Sequence, residues 1–403
     1  MKNNQALNMT LLCFDPIHYP KNEGVMRRIH YGGSEETFPV ENCAVYNEDG
    51  SVSLKYYNPT AKKVELRYRL HNYQHSKSEY RKDPDFYSRD FIVEPMTLEP
   101  DGYWHITIDP GAGFHSVYFI ADGVRVINTR GPYGYDGFDI RNFVDLPDDE
   151  DTQLHDVPHG AITREIYWSK ETQRYRACWV YTPASYAFSD RKYLILYLQH
   201  GGSQDEVCWF QSGKIDMLMD NLTARKEAEE MIIVCNNGYV LKETENGEAR
   251  EGRLDQVIIQ DCMPFIEKKY RVIADRRKRA AAGLSMGGGH VRRLVFGHPE
   301  LFANVGIFSS GECFPIKTED MDFSELFSDA KRFNAAMDVV YITCGEADSR
   351  YDQTVADLKP LQDQGFHIQF QGYLGQHEWN VWRYSAKDYV KKLFHDEVKN
   401  DEF

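Results

Sequence analysis

The chain has 403 residues, of which 42% are hydrophobic and 27% charged, and this composition excludes disordered, collagen-like and coiled-coil proteins. At roughly 150 residues per domain, the length predicts two or three domains. Its 47 basic and 62 acidic residues give a net charge of −15, which argues against a nucleic-acid or anionic-membrane partner. No apolar run reaches the roughly 18 residues that a membrane span needs, so we expect no membrane partner.

Eight cysteines are scattered along the chain without a Cys-x-x-Cys pair, which argues against a disulfide framework and against a zinc site. Cys178, Cys235 and Cys344 lie in apolar runs, where a thiol acts as a small buried hydrophobe. The first residues lack the pattern of a secretory signal. These features predict a reducing, cytoplasmic location. The oligomeric state stays open, and a homo-oligomer is compatible with the sequence.

After an N-terminal extension over 1–37, the segment 38–145 is predicted to be an all-β domain. Apolar and polar residues alternate there with period two, and turn signals such as Asp49-Gly50 and Asn58-Pro59 separate the runs. The predicted strands include 51–57, 63–70, 103–108 and 115–120. Several short strands with such punctuation indicate an antiparallel β-sandwich. The acidic stretch 146–156 is predicted to be the linker to the next domain.

The segment 157–403 has a different sequence pattern, in which apolar runs alternate with amphipathic stretches. A strand pair is predicted at 161–168 and 174–181. Further strands are predicted at 193–198, 231–235, 280–284, 305–309, 339–343 and 367–373. Helices are predicted at 215–226, 254–269, 288–296, 324–337, 352–364 and 386–398. This alternation predicts an α/β domain with a mostly parallel sheet covered on both faces. The basic run 276–279 precedes an apolar segment and is interpreted as a solvated turn.

A Gly-x-Ser-x-Gly pattern surrounds Ser285, with a predicted strand before it and a predicted helix after it. A nucleophilic serine needs a tight, strained turn between a strand and a helix. Gly283 and Gly287 leave space where a Cβ would collide, and the N–H groups of the helix point at the developing oxyanion. The context therefore favours a nucleophile over an ordinary glycine-rich loop.

A serine is a weak nucleophile unless a base removes its proton, and the base is usually a histidine oriented by a carboxylate. Among the histidines downstream of Ser285, His377 lies in a loop after the last predicted strand, where such a base is needed. Asp348 follows the strand predicted at 339–343 and is the chosen acid, with Glu346 as the alternative. The carboxyl ends of the strands in open α/β sheets are where active sites lie.

The oxyanion needs two N–H donors. The amide of Met286, directly after the nucleophile, is one candidate. The other is the amide of Gly202 in the glycine-rich turn after the strand at 193–198, with Gly201 as the alternative. His200 in the same turn is expected to support the loop by hydrogen bonding.

Three aromatic side chains near these loops are candidate substrate-binding residues, namely Trp209, Trp379 and Trp382. Such rings stack on a phenolic group or a sugar ring, although core packing explains each of them at least as well. His71 and His75 are four residues apart, but no third ligand is evident, and we interpret them as part of a solvated loop. No metal and no cofactor are expected, because no phosphate-binding loop or metal-ligand cluster stands out.

The segment 157–397 resembles the esterase D or enterochelin-esterase type of α/β-hydrolase, and within it the bacterial feruloyl esterases. The residues that carry the resemblance are Arg176 to Pro183, the His200-Gly201-Gly202 loop with Trp209, Gly283 to Gly288, Cys344 to Asp348 and His377 to Trp382. This resemblance implies the triad Ser285, Asp348 and His377, and an oxyanion hole made by the amides of Met286 and Gly202. The all-β segment is similar to the immunoglobulin-like modules that precede catalytic domains in such enzymes.

Together these features predict a cofactor-free serine esterase that forms an acyl-enzyme. The resemblance favours a hydroxycinnamoyl (feruloyl-type) ester of a plant sugar as its small-molecule or oligosaccharide substrate. The alternatives are a siderophore trilactone, as in enterochelin esterases, an acetylated sugar, and a non-catalytic glycan-binding protein. The net charge of −15 argues mildly against an anionic siderophore, and the intact set of Ser285, Asp348 and His377 argues against a binding protein.

Overall fold

A computed structural model describes residues 25–31, 34–40, 43–69, 91–136, 139–243, 249–310, 316–318 and 321–395. The described chain divides into two compact units between Leu154 and His155, a point within the predicted linker 146–156. The predictions for His71 and His75 lie outside the described residues. The end of the predicted extension 1–37 contributes to an antiparallel hairpin of β1 (Val25–Tyr31) and β2 (Ser34–Val40).

The remaining described strands of the first unit form two antiparallel sheets. Their bounds are β3 Ala44–Tyr46, β4 Val52–Tyr57, β5 Val64–Arg69, β6 Phe91–Pro95, β7 Thr97–Leu98, β8 Tyr103–Ile108, β9 Gly113–Ala121, β10 Val124–Val126, β11 Tyr133–Asp136 and β12 Asp139–Leu146. One sheet has the order β3-β4-β8-β7, and the other the order β11-β12-β9-β5-β6, with β10 paired to β9. The all-β character of this unit follows the sequence prediction.

Alternation of buried and half-buried residues explains how the two sheets meet. Strand β9 buries every second residue, including Val117 and Phe119. These side chains join Leu54 of one sheet and Leu66 of the other in a single core cluster. Since successive side chains of a strand point to opposite faces, this pattern gives each sheet one inner face. The immunoglobulin-like assignment of the pair stays a prediction.

The second unit is built on a sheet of eight described strands. The strands of this unit are β13 Ala161–Ser169, β14 Arg174–Thr182, β15 Leu194–Gln199, β16 Met231–Asn236, β17 Leu241–Glu243, β18 Ala249–Glu251, β19 Arg279–Leu284, β20 Asn304–Phe308, β21 Lys317–Thr318, β22 Met321–Asp322, β23 Val339–Gly345 and β24 Gln369–Tyr373. The large sheet has the order β13-β14-β16-β15-β19-β20-β23-β24. It is parallel from β16 to β24, and the hairpin β13–β14 is antiparallel.

Helices cover both faces of this sheet. Their bounds are α1 Cys208–Gln211, α2 Ile215–Ala224, α3 Leu254–Val257, α4 Met263–Lys269, α5 Met286–Gly297, α6 Ala330–Ala336, α7 Tyr351–Asp363 and α8 Trp379–Lys392, with a π-helical segment Ile258–Cys262 joining α3 to α4. The central strands β15, β16 and β19 are almost continuously buried, as expected for parallel strands covered on two faces. The α/β prediction is therefore confirmed.

Two helix predictions are wrong in extent. The helix predicted at 324–337 is confined to α6, because the side chain of Asp329 accepts a hydrogen bond from the N–H of Arg332 and starts the helix there. The helix predicted at 386–398 instead begins at Trp379 and ends at Lys392. Buried aromatic residues early in α8 extend its apolar face towards its amino end, as the i, i+3 spacing of Trp379 and Trp382 allows.

The interpretation of the basic run 276–279 as a solvated turn holds for 276–278, a 3₁₀ turn without buried residues, and is wrong for Arg279. The guanidinium of Arg279 is buried and donates to the carboxylate of Glu267 at 2.6 Å. That of Arg277 donates to Asp338 at 2.6 Å. The basic run therefore ties the start of β19 to neighbouring elements through charge-assisted hydrogen bonds.

Candidate active site

Ser285 lies in the turn between β19 and α5, in the strained conformation that the pattern predicts. Its φ of 50° and ψ of −118° are unusual for a residue with a Cβ. The N–H of Ser285 donates to the carbonyl of Phe308 at 2.8 Å, which anchors the turn to the neighbouring strand. The helix begins at Met286, so the N–H groups of its first turn directly follow Ser285.

Two glycines of the pattern are required by close backbone contacts. A Cβ added to Gly283 would lie 2.4 Å from the carbonyl oxygen of Gly287. A Cβ added to Gly287 would lie 2.4 Å from the carbonyl oxygen of His200, in the loop after β15. The turn between β19 and α5, which we call the elbow, is therefore packed backbone against backbone. This packing fixes Ser285 relative to the loop after β15.

A continuous hydrogen-bonded line joins Ser285, His377 and Asp348. The Nδ1 atom of His377 lies 2.7 Å from Oδ2 of Asp348, and its Nε2 atom lies 3.0 Å from the Oγ of Ser285. Because a carboxylate only accepts, the proton of the imidazole is on Nδ1 and Nε2 is left to accept from the serine hydroxyl. This is the arrangement in which a histidine can take the proton of a serine.

The Asp348 carboxylate has no solvent exposure and several donors. Besides His377, the N–H of Arg350 donates to its Oδ1 at 3.0 Å, and the Arg350 guanidinium lies 3.3 Å from the same atom. Burial alone would raise the pKa of Asp348, but the hydrogen bond and charge of His377, with the contacts from Arg350, lower it below the ordinary value. The carboxylate therefore stays ionised and can stabilise an imidazolium.

The amides of the loop after β15 differ in whether they have an acceptor. The N–H of Gly201 donates to the side chain of Gln204 at 2.8 Å, and the N–H of Ser203 donates to the hydroxyl of Tyr239 at 2.6 Å. The N–H of Gly202 has no acceptor among the described residues, and the space around its Cα is open. This difference favours Gly202 over Gly201 as the second oxyanion donor beside Met286.

The side chain of His200 also fixes the conformation of this loop through hydrogen bonds of both ring nitrogens. Its Nδ1 lies 2.8 Å from the carbonyl oxygen of Gly201, and its Nε2 accepts from the N–H of Gly238 at 2.7 Å. Burial lowers the pKa of His200 to about 4, so the ring is neutral at neutral pH. Since the carbonyl of Gly201 and the N–H of Gly202 share one peptide plane, fixing the first also fixes the direction of the second.

The three tryptophans predicted to bind substrate form a buried, edge-to-face chain. Trp209 is 1% exposed, and its indole N–H donates to the carbonyl of Gln199 at 2.9 Å. Its ring packs against Trp379 at 5.3 Å, Trp379 packs against Trp382 at 5.2 Å, and Trp382 packs against the ring of His377 at 5.0 Å. The prediction of substrate contact is therefore replaced by a packing role, because the faces of these rings are covered by protein.

Sequence reasoning missed the residues that support the site from neighbouring loops. Tyr239 and Gln204 accept hydrogen bonds from the loop after β15. The guanidinium of Arg176 in turn donates to the carbonyl of Tyr239 at 3.1 Å. None of these residues carries a recognisable motif. Their role depends on contacts over as many as 63 positions along the chain, which no local pattern reveals.

No group of three His, Cys, Asp or Glu side chains within the described ranges could hold a metal ion. Likewise, no helix among the described residues is both long and apolar enough to cross a membrane. Cys178, Cys235 and Cys344 are buried, in agreement with their expected role as small hydrophobes.

Comparison with known proteins identifies the family. The family model "Putative esterase" matches residues 169–392, which is more than half of the chain. The chain belongs to this esterase family. The match includes Ser285, Asp348 and His377, and at the level of family it confirms the prediction of a carboxylic ester hydrolase.

Two curated relatives are much longer than this chain. An endo-1,4-beta-xylanase/feruloyl esterase of Xylanibacter ruminicola is 28% identical over 316 residues, covering 74% of this chain and 41% of that protein. An endo-1,4-beta-xylanase Y of Acetivibrio thermocellus is 30% identical over 152 residues, covering 34% of this chain and 13% of that protein. The chain thus spans less than half the length of these relatives.

Solved structures share the fold of this esterase. A ferulic acid esterase from Anaeromyces mucronatus has a TM-score of 0.51 at 22% identity, covering 62% of this chain and 96% of that one. The enterobactin esterase from Shigella flexneri has a TM-score of 0.55 at 15% identity, covering 85% of this chain and 92% of that one. At these identities the likeness is one of fold, and it supports the α/β-hydrolase assignment.

Proposed function

We propose that this chain is a serine esterase that hydrolyses hydroxycinnamoyl esters of plant sugars. The observation that carries the proposal is the hydrogen-bonded line from Ser285 through His377 to the buried Asp348. The feruloyl esterase activity in the name of the Xylanibacter ruminicola relative supports the acyl group.

In the proposed reaction, His377 takes the proton of Ser285 while the serine oxygen attacks the ester carbonyl. The amides of Met286 and Gly202 stabilise the oxyanion of the tetrahedral intermediate. Collapse of that intermediate breaks the ester bond, and the alcohol leaves with the proton from His377. Water then attacks the acyl-enzyme with His377 again as base, which releases the carboxylic acid and restores the serine.

A siderophore trilactone is the second candidate substrate. The likeness to the enterobactin esterase covers 85% of this chain and therefore extends into the first unit, whereas the ferulic acid esterase covers 62%. This likeness concerns the fold alone, so we rank the trilactone below the hydroxycinnamoyl ester.

The test is hydrolysis by the wild type and by Ser285→Ala of methyl ferulate, a feruloylated arabinose oligomer, an acetylated xylo-oligomer and ferric enterobactin. We expect ferulate release by the wild type and a loss of at least about 1,000-fold in Ser285→Ala, because the nucleophile is removed. Thermal unfolding should show that the variant keeps its fold. Equal rates in both proteins would overturn the mechanism, and activity confined to enterobactin or acetyl esters would overturn the substrate.

A further inference from the structure

The β13–β14 hairpin exposes two large aromatic side chains next to each other. Trp168 is 47% exposed and Tyr175 is 74% exposed. They are directly opposite in the strand register, with ring centroids 5.1 Å apart and nearly perpendicular planes. Ile166, on the same face two residues before Trp168, is 56% exposed. We call Ile166, Trp168 and Tyr175 the hairpin face. Exposed apolar side chains grouped in this way commonly mark a binding surface.

The hairpin face lies at the edge of the sheet that carries Ser285. Strand β14 is antiparallel to β16, and Cys178 lies opposite Asn236, the last residue of β16. Tyr175 therefore lies beyond the carboxyl end of that strand, and Ser285 directly follows the carboxyl end of β19. Strands β14 and β19 are three positions apart in the sheet, or about 14 Å at a spacing of about 4.8 Å per strand.

The hairpin also carries exposed positive charge. Arg164, on the same strand face as Trp168, and Lys170, in the turn of the hairpin, are both exposed. Neither cation forms a salt bridge within the described part of the chain. The carboxylate next to Arg164, that of Glu165, is buried on the opposite face and bonded to Lys269. The hairpin 161–182 carries four basic residues (Arg164, Lys170, Arg174 and Arg176) and two acidic ones (Glu165 and Glu171), so it is locally basic although the chain as a whole has a net charge of −15.

We propose that the hairpin face binds a pyranose chain that carries uronate groups. The rings of Trp168 and Tyr175 offer apolar surface to the C–H faces of the sugars, and the cations of Arg164 and Lys170 pair with uronate carboxylates. Charge selects this occupant, because an acidic protein repels a polyanion except where its surface is locally basic. The inference rests on the proposed function, since a feruloylated polysaccharide seated here would bring its ester towards Ser285.

Affinity electrophoresis of the full-length Ser285→Ala variant tests this binding without hydrolysis. We expect glucuronoxylan in the gel to slow the protein more than neutral arabinoxylan does, and added salt to weaken this retardation. Trp168→Ala and, separately, Tyr175→Ala should each weaken the apparent affinity about tenfold. Phe188→Ala is the matched control, because Phe188 is 92% exposed and lies after the opposite end of β14. It should bind as its parent does.

The double variant Arg164→Gln with Lys170→Gln tests the contribution of the two cations to binding. It should lower the affinity for glucuronoxylan and leave that for arabinoxylan unchanged. The proposal is wrong if the Trp168→Ala and Tyr175→Ala variants migrate like their parent, or if salt has no effect. A molar mass in light scattering that falls on Trp168→Ala would show that a second copy of the chain covers this face, and would also overturn it.

This test separates the two proposals. If no polysaccharide slows the Ser285→Ala parent while the wild type still releases ferulate, the hairpin-face proposal is rejected and the proposed function stands. Retardation without hydrolysis of any ester by the wild type would reject the proposed function alone.

Discussion

Asp348 and Glu346 are two residues apart after β23, and they differ in their hydrogen-bond partners. The carboxylate of Asp348 accepts from His377, whereas the backbone N–H of Glu346 donates to the carbonyl of Tyr373. An asparagine at position 348 would offer an N–H to Nδ1 of His377 and favour the tautomer with its proton on Nε2. We therefore expect Asp348→Asn to lower kcat about 10⁴-fold, as measured by ester hydrolysis at neutral pH.

Glu346→Gln is the matched control for this prediction, because it neutralises the neighbouring carboxylate at nearly constant volume. It should change kcat little. The reverse ranking of the two variants would make Glu346 the acid and would contradict the assignment of Asp348.

Single residues also show what the sequence could and could not predict. The placement of Ser285 and His377 was predictable, because a strand-to-helix turn and the loop after the last strand are where the proposed nucleophile and base are expected. The burial of Trp209 was not predictable, because a sequence position close to the His200 loop does not determine the direction of the side chain. Its 1% exposure goes with the hydrogen bond to the carbonyl of Gln199 and the ring contacts with Phe308 and Trp379, which only the folded chain defines.

At the scale of elements, the backbone of Gly287 packs against the loop after β15. A Cβ there would meet the carbonyl oxygen of His200 at 2.4 Å, and backbone cannot move aside as a side chain can. We expect Gly287→Ala to lower kcat strongly and to destabilise the fold by about 1–3 kcal/mol, as overpacking does. Hydrolysis rates and urea unfolding curves measure the two effects.

Gly289→Ala provides the control, because a Cβ at Gly289 would meet nothing within 4 Å. Both glycines lie in the first turn of α5, so the two substitutions share the helix-propensity gain of about 1 kcal/mol. Full activity in Gly289→Ala and reduced activity in Gly287→Ala would isolate the contact with His200. Full activity in both would show that the contact does not hold the site.

Element boundaries were harder to predict than element types. The strands of the second unit are short apolar runs whose type follows from their alternation with helices. The start of α8 differs from the prediction because Trp379 and Trp382, for which the sequence leaves substrate contact and core packing open, are buried in the first turn of the helix. In the fold the loop after β24 is shorter, and Glu378 already precedes the first turn of the helix.

At the scale of the whole molecule, buried ionisable groups set how stability depends on pH. Burial lowers the pKa of His200 and of His290 to about 4, against about 6.5 in an unfolded chain. Between these values the unfolded state binds more protons, so the free energy of unfolding falls as pH decreases from 6.5 to 4. Burial raises the pKa of Asp216 to about 6. The folded state therefore binds more protons at Asp216 between pH 6 and about 4, and this contribution raises the free energy of unfolding as pH decreases.

His290 offers a test, because it lies on α5 and outside the hydrogen-bonded line of the active site. From pH 7 to pH 5 each buried histidine should lower the free energy of unfolding by about 2 kcal/mol, and Asp216 should offset about 1 kcal/mol of the sum. His290→Gln removes one of the two histidines, so it should lose about 2 kcal/mol less than the wild type over this range. Urea unfolding at the two pH values measures the difference. Equal losses in both proteins would mean that His290 is protonated as readily in the folded as in the unfolded chain.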